Sequence, residues 1–472
     1  MLNVWETLAR CVGIRLKSPC PLVCLSTDGK PPAWGERPRI VVCTMQYTVC
    51  SNPRQQLERI LQMSMTVNEI ELIEGLAQEE RMPKHIIGMD AHSRKVSLCI
   101  SEARYGRDPL ILRELSDVQL DSLESAYRRN VPADSVTVIE ASTNAFAIVK
   151  RLKRIGYHAK VVYSDILRGL SRKDRINDRI DASRLVVAYS RFGATREGIF
   201  VPSDKFASYR DLLFGYKNTV KDLTRISNRI WSFCSAHGMP LPKRKKERKV
   251  SDVRTCAKNI HLEEFSAFEL EDLLSEYEHC LKRRNNFHRK IALVVSREPM
   301  MIRLMQVPGI SSITAFALVA YVEDIHRFST PSKLVSYIGL NPMVNSSGES
   351  DDPDRLSTYG QRILKILFLQ VGQALVRRTT AHGISKWARR KVASGKPYLV
   401  MCVAAGRKAL VYAWHNMMGH PAPDRESERM FRTKVMTIYK ELGEEAASIT
   451  GFKKSSEYAK AVLTPLYAHL SA

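Results

Sequence analysis

Four carboxylates in the N-terminal half of the chain have the residue type and spacing of a divalent-metal site. Asp90 and Glu140 each end a predicted strand, while Asp178 and Asp181 stand three residues apart at the start of a predicted helix. Residues three apart share one side of a helix. Carboxylate oxygens suit Mg²⁺ or Mn²⁺, and two such ions can clamp the attacking and leaving oxygens of a phosphodiester displacement. We therefore predict that these four acids hold Mg²⁺ (or Mn²⁺) for phosphodiester chemistry.

Each acid also has a simpler explanation when it is taken alone. Asp181 could pair with a surface arginine, Asp178 could cap its helix, and Glu140 could face solvent. The metal-site hypothesis depends on the joint placement of the four, since like charges that converge on one point need a cation to coexist.

The elements that must position these acids alternate between strand and helix over residues 85–202. Strands are predicted at His85–Asp90, Lys95–Ser101, Leu110–Leu115, Ser135–Glu140 and Ala159–Tyr163, and helices at Asp117–Arg129, Ala145–Ile155 and from Asp178 onward. The order β-β-β-α-β-α-β-α predicts an α/β fold. By analogy of element order, it is that of a ribonuclease H-like (RuvC-like) sheet, in which the first and fourth strands are neighbours.

The remainder of the chain is predicted to be helical. Residues 203–300 carry two apolar stripes at steps of three and four, which predict an antiparallel coiled-coil hairpin. Residues 301–420 are predicted to form a helical domain that begins with a helix-hairpin-helix at Val307–Ala315, and residues 421–472 a helical tail. Glycines and prolines interrupt residues 1–84, which we expect to be a weakly ordered extension.

The net charge of +24 predicts a polyanionic partner, most often nucleic acid. Residues 1–84 contribute only +1 of it. Basicity for solubility alone, with the basic block as a solvated loop, is the alternative. Phosphate contacts are predicted for a basic loop, for the turn of the helix-hairpin-helix and for two later arginines: Lys243, Arg244, Lys245, Lys246, Arg248, Lys249, Gly309, Arg355 and Arg362.

Other classes of protein are disfavoured by composition. No apolar run approaches the roughly 20 residues that a membrane span needs, and no secretory signal is recognisable at the N-terminus. Five of the ten cysteines lie in the first fifty residues. We expect no disulfides, because no secretory signal is recognisable, and no zinc site, because Cys20 and Cys24 lack a matching second pair.

Several short segments resemble the insertion-sequence 110 family of DEDD transposases. The segments that match its acidic motif blocks are Ile87–His92, Val138–Ser142 and Asn177–Ala182. Those that match its C-terminal transposase block are Pro308–Ile310, Tyr337–Leu340 and Ser347–Gly348. The resemblance covers about residues 85–420 in the family's order.

The resemblance implies an enzyme that cuts and rejoins DNA through metal-dependent attack by a serine, with a covalent serine–DNA intermediate. It implies Asp90, Glu140, Asp178 and Asp181 as catalytic metal ligands and Ser347 as the nucleophile; Ser346 stands beside it and leaves the choice of hydroxyl open. The implied partners are target and donor DNA, a structured non-coding bridge RNA and further copies of the chain, as a dimer or tetramer. The implied location is the nucleoid-associated cytoplasm of a bacterium or archaeon, with no membrane contact.

Two other functions stay open at this point. One is a metal-dependent ribonuclease H-like junction endonuclease in which Ser347 is structural, and DNA hydrolysis that survives Ser347→Ala would favour it. The other is an RNA/DNA-binding protein without chemistry, against which the presence of all four acids and the serine argues.

Overall fold

The computed structural model describes residues 83–104, 108–163, 178–193, 198–239, 250–341, 359–377, 382–420 and 424–467. The chain divides after Val201 into two compact units. No helix within the described ranges has the length and apolar content that crossing a membrane requires.

The first unit is built on one five-stranded sheet with strand order β3-β2-β1-β4-β5. Its strands are β1 (His85–Ala91), β2 (Lys95–Glu102), β3 (Leu110–Gln119), β4 (Ser135–Glu140) and β5 (His158–Val162). Its helices are α1 (Leu123–Asn130), α2 (Ala145–Arg154) and α3 (Asp178–Ala188). β1 runs antiparallel to β2 and parallel to β4, and β4 runs parallel to β5. The predicted element order and the predicted pairing of the first and fourth strands are confirmed.

Alternate residues of β1 face opposite sides of the sheet, and each side has its own core. Ile87 and Met89 pack in a cluster with residues of α1 and α2. Ile86 packs on the other side with Ala182, Leu185 and other residues of α3. Gly88 and Asp90 share this second side, so the face that carries Asp90 is the one that α3 covers.

The third strand is longer than predicted, and the following helix starts later. Asp117–Gln119 were predicted to open a helix, but they extend β3, since Gln119 pairs with Lys95 and Val118 with Val96. The register between β2 and β3 shifts between Val96 and Leu98, and Asp117 at this point of β3 has φ +57°. Pairing with β2 therefore outweighs the helical spacing of the apolar residues.

The second unit begins with two long helices, α4 (Asp204–Ala236) and α6 (Glu264–Arg297), with the short α5 (Val250–Lys258) between them. Ion pairs join Lys205 to Glu298 and Arg229 to Glu276, so the start of α4 lies beside the end of α6. The two helices therefore form an antiparallel hairpin, as predicted. α5 was not predicted, and its Arg254 contacts Glu271 and Glu278 of α6.

The rest of the second unit is a helical bundle around one large apolar core. Its helices are α7 (Pro299–Leu304), α8 (Ser312–Val322), α9 (Pro331–Ile338), α10 (Arg362–Arg377), α11 (Gly383–Ala393), α12 (Tyr398–Met417), α13 (Glu428–Leu442), α14 (Ala446–Thr450) and α15 (Ser455–Tyr467). Hydroxyl caps start several of them: Ser311 accepts a hydrogen bond from the amide of Thr314, and Ser427 accepts one from Met430.

α10 and α12 cross with their backbones in contact. A Cβ at Gly372 would clash with the carbonyl oxygen of Cys402, and a Cβ at Gly406 would clash with that of Phe368. Both positions therefore require glycine for close approach rather than for backbone conformation.

We expect Gly372→Ala to destabilise the protein by about 1–3 kcal/mol, because the added methyl group must push two packed helices apart. Gly383→Ala is the matched control, since among the described residues the only side chain near its Cβ is that of Asp424, at 3.3 Å. Urea unfolding of the three proteins measures the difference. Equal urea midpoints for Gly372→Ala and the control would show that α10 and α12 can move apart at little cost in stability.

Candidate active site

Two of the predicted acids occupy matching positions on neighbouring parallel strands. Met89 of β1 lies opposite Ile139 of β4, so Asp90 and Glu140 each follow by one residue at the same end of the sheet. Neighbouring strands lie about 4.8 Å apart, and both acids are partly exposed. The structure therefore brings these two carboxylates together from positions fifty residues apart in the chain.

α3 lies close over the same face of the sheet because Gly88 has no side chain. A Cβ at Gly88 would clash with the carbonyl oxygen of Ala182 in α3. α3 starts at Asp178, so Asp178 and Asp181 belong to its first turn, directly before the residue that touches β1. Gly88 thus sets the distance between the strand that carries Asp90 and the helix that carries the other two acids.

Asp181 is held by a cation of its own helix. Its Oδ1 lies 3.2 Å from Nη1 of Arg184, one turn further along α3. This is the pairing with an arginine that the simpler explanation of Asp181 anticipated. Among the side chains that the structure describes, no three His, Cys, Asp or Glu residues are grouped to hold a metal ion. The side chain of Asp178 is not among them, and the four-carboxylate site stays a prediction.

Sequence reasoning did not single out two polar residues beside Asp90. Nε2 of His92 lies 3.1 Å from Oδ2 of Asp90, whose side chain is 20% exposed. Nδ2 of Asn144 donates to the carbonyl oxygen of His92 at 2.7 Å, and Ser142 donates to Oδ1 of Asn144. The loop after β4 thereby fixes the turn after β1. His92 follows Asp90 by two residues, which is a local signal; the contact from Asn144 depends on the fold.

A buried thiol, that of Cys99, lies on the same face of the sheet as Asp90. Cys99 lies opposite Gly88 in the sheet and is buried. Burial raises the pKa of its thiol to about 11, with a further contribution from the charge of Glu114. A thiol that stays protonated at neutral pH is a poor nucleophile, and the carboxylates of Asp90 and Glu140 remain the candidate metal ligands of this face.

Arg362, a predicted phosphate contact, belongs to a group of cations in the second unit. It is the exposed first residue of α10. Burial lowers the pKa of Lys217 on α4, and the charges of Lys221 and Arg362 lower it further. Three cations that repel one another are typical of a site that binds an anion.

Gly309, the other described residue among the predicted phosphate contacts, lies in the turn between α7 and α8 with φ +84°. A Cβ there would come within 3.0 Å of Val371 and 3.2 Å of Leu375 on α10, so the glycine packs against the core of the bundle. The remaining predicted contacts and the predicted nucleophile fall outside the described residues: Lys243, Arg244, Lys245, Lys246, Arg248, Lys249, Ser346, Ser347 and Arg355.

A buried cluster of charges was not predicted from the sequence. Glu426 is 2% exposed, and its carboxylate lies 2.9 Å from Nε2 of His382 and 2.7 Å from Nζ of Lys434. Its amide donates to the carbonyl oxygen of Gln306, and its carbonyl oxygen accepts from the hydroxyl of Tyr467. Burial alone raises the pKa of Glu426, but the charges and hydrogen bonds of Lys434 and His382 outweigh it and hold the pKa below its ordinary value. The cluster ties four segments of the bundle together.

Comparison with known proteins finds one family. Residues 301–388 match the model of the Transposase IS116/IS110/IS902 family. The match spans α7 to α10 and reaches into α11, so it covers part of the second unit.

Three curated relatives extend the similarity along the chain. The transposase for insertion sequence element IS1328 of Yersinia enterocolitica is 20% identical over 70% of this chain and 95% of its own length. A probable family 20 transposase of Pseudomonas aeruginosa is 22% identical over 59% of this chain and 82% of its own. The transposase for insertion sequence element IS1111A of Coxiella burnetii is 35% identical over 16% of this chain and 21% of its own.

Proposed function

We propose that the chain is a transposase of the IS110/IS116 type, like the proteins that it resembles. We further propose that it cuts and rejoins DNA with a carboxylate metal site in the first unit and a serine nucleophile, Ser347, in the second. The strand order of the first unit, 3-2-1-4-5 with only β2 antiparallel to the other four strands, supports a ribonuclease H-like assignment. The proposal therefore has two supports, the similarity to transposases and a sheet topology that suits phosphodiester chemistry.

The observation that carries the proposal is the pairing of Asp90 with Glu140. Two carboxylates at adjacent strand ends repel each other, and α3, whose first turn contains Asp178 and Asp181, packs on the same face of the sheet. Carboxylates that lie close together favour the binding of a cation, because the cation offsets their mutual repulsion. Arg184 offsets the charge of Asp181, and His92 lies within hydrogen-bonding distance of Asp90.

The donor set fits Mg²⁺ or Mn²⁺. Every proposed ligand is a carboxylate, and hard oxygen donors favour these ions over zinc. Asp90, Glu140, Asp178 and Asp181 would hold the metal. When bound, it supplies Lewis-acid polarisation of the scissile phosphate and offsets the charge of the transition state.

Ser347 supplies the covalent step. Its Oγ forms a bond to phosphorus as the bond from phosphorus to a deoxyribose oxygen breaks; the serine proton passes to a base, and the leaving oxygen takes up a proton. A serine hydroxyl is a weak nucleophile until it is activated, so the acidic site and Ser347 must meet. The phosphodiester to serine keeps the bond energy for rejoining, which hydrolysis would lose. As in the resemblance noted above, guidance by a structured RNA and assembly into an oligomer are parts of the proposal.

The test is a search for the protein–DNA adduct. With Ser347 intact, denaturing gels of a reaction with labelled donor and target DNA and the copurified RNA should show a covalent complex, and Ser347→Ala should show none. Ser346→Ala is the matched control, because it removes the neighbouring hydroxyl. An adduct that survives Ser347→Ala and disappears in Ser346→Ala would move the nucleophile by one residue. DNA cleavage without an adduct in any variant would replace the proposal with the junction-endonuclease function.

A further inference from the structure

We infer that one side of α11, formed by Lys386, Arg389 and Arg390, is a docking surface for the phosphate backbone of duplex DNA. We call it the α11 basic face. The inference rests on the proposed function, in that DNA is the partner, and it adds a surface that neither the predicted phosphate contacts nor the metal site includes.

The first observation is a long stretch of chain without acids. Residues 356–423 contain eleven Lys and Arg and no Asp or Glu. These 68 residues thus supply almost half of the net charge of +24. α10, α11 and α12 all lie within the stretch, so their charges cannot be balanced by acids on the same helices.

The second observation is how α11 arranges its cations. Lys386, Arg389, Arg390 and Ala393 recur at the i, i+3, i+4, i+7 spacing of one helical side, and together they line a shallow depression on the surface. Ile384, Ser385 and Ala388 are buried on the opposite side. The core therefore turns Lys386 and Arg390 outward, and the partly buried Arg389 lies beside them with its Nε donating to the carbonyl oxygen of Ser385. Like charges at i and i+4, as at Lys386 and Arg390, destabilise a helix, and the protein tolerates that cost.

The third observation is a contrast with the helical hairpin of the same unit. Two of its arginines are each paired with acids: Arg229 lies near Glu269 and Glu276, and Arg254 near Glu271 and Glu278. Within the described residues, no carboxylate pairs with Lys386 or Arg390, both of which are exposed. Charge that is left without a partner in the folded unit is available to an external anion.

α11 is also held firmly at the base of this surface. The amide of Ile384 donates to Oδ2 of Asp424 at 3.1 Å, and His382 contacts the buried Glu426. The ring of Trp387 lies 4.7 Å from Nζ of Lys408. A fixed helix presents its cations with less entropy to lose on binding.

The chemistry of the surface favours duplex over single-stranded nucleic acid. Single strands are gripped by stacking of bases on exposed aromatic rings, and the one aromatic ring of α11, Trp387, is engaged by Lys408. α11 is about 17 Å long at 1.5 Å per residue, and a duplex carries one charge per roughly 1.7 Å of axis. Several phosphates therefore lie within reach of the face at once, and contacts of this kind position a protein without reading sequence.

The experiment compares the salt dependence of duplex binding in two doubly neutralised proteins. Lys386→Gln/Arg390→Gln removes two charges from the α11 basic face. Lys282→Gln/Arg283→Gln, at two exposed positions of α6, removes one Lys and one Arg elsewhere and controls for net charge. Fluorescence anisotropy with a labelled duplex from about 50 to 200 mM salt gives the slope of log affinity against log salt, to which each neutralised phosphate contributes about −0.9.

We expect the α11 variant to bind roughly 10- to 100-fold more weakly at 0.1 M salt and its slope to flatten by about 1.8, while the α6 variant keeps the wild-type slope. Equal slopes in the two variants, with unchanged melting temperatures, would overturn the inference. So would an α11 variant that loses affinity only for a hairpin RNA in the same titration. DNA cleavage is measured separately with Asp90→Asn. A negative binding result would therefore contradict only the α11 basic face, and a negative cleavage result would contradict only the proposed metal site.

Discussion

Asp90→Asn protein is expected to bind DNA as the wild type does and to cut it at least about 100-fold more slowly. The substitution keeps the size of the side chain and an oxygen that His92 can still contact, but it removes the charge that a metal ion requires. Glu140→Gln should behave in the same way, since Glu140 holds the matching position on β4. Single-turnover cleavage of labelled donor DNA in Mg²⁺ measures the effect.

The matched control for Asp90→Asn is Asp108→Asn. Asp108 is an aspartate of the same unit that pairs with Arg191 at the surface, and its loss should leave cleavage within a few tens of per cent of the wild-type rate, as for most surface changes. Wild-type cleavage that persists in Asp90→Asn, or in the presence of a chelator, would rule out the carboxylate metal site.

Glu426→Ala is expected to cost about 3–5 kcal/mol of stability, because it removes the buried carboxylate that offsets the charge of the partly buried Lys434. Lys434 also donates to the carbonyl oxygen of Met305, and that bond cannot compensate a lost carboxylate. For a unit of this size the loss corresponds to a fall of roughly 10 °C in melting temperature. Glu444→Ala, at an exposed position of the same unit, should change stability by less than about 0.5 kcal/mol. A similar melting temperature for both variants would show that the buried cluster is energetically neutral.

The same cluster gives an acid dependence whose sign follows from the lowered pKa of Glu426. A carboxylate whose pKa is lower in the folded than in the unfolded protein stabilises the fold above its unfolded pKa and loses that contribution as pH falls through the folded pKa. The free energy of unfolding should therefore decline below about pH 4.5, and the part due to Glu426 should be missing from Glu426→Gln.

Much of the first unit could be predicted because its signals are local. β4 matches its predicted bounds at both ends, since a run of alternating apolar residues stands between turn residues. Placing Asp90 next to Glu140 required only the element order, because that order makes the first and fourth strands neighbours. The prediction was wrong at Asp117–Gln119, because apolar residues at helical spacing begin there while the same residues pair with β2.

Two of the contacts that were missed join distant parts of the chain. Asn144 reaches the carbonyl oxygen of His92 across 52 residues, and Glu426 reaches His382 across 44. Nothing in the types or spacing of these residues distinguishes them from surface polar residues. Only the packing of the helices and strands decides which of them meet.

The crossing of α10 and α12 has a consequence for how the second unit can move. Helices that pack through side chains can slide by an ångström or two as rotamers change, whereas Gly372 and Gly406 leave main chain against main chain, with no rotamer to change. The crossing is thus a rigid joint that holds Arg362 and Arg377, at the two ends of α10, at fixed offsets from α12. In the proposed function, a DNA duplex that binds to this rigid part of the second unit would itself have to bend or twist to fit it.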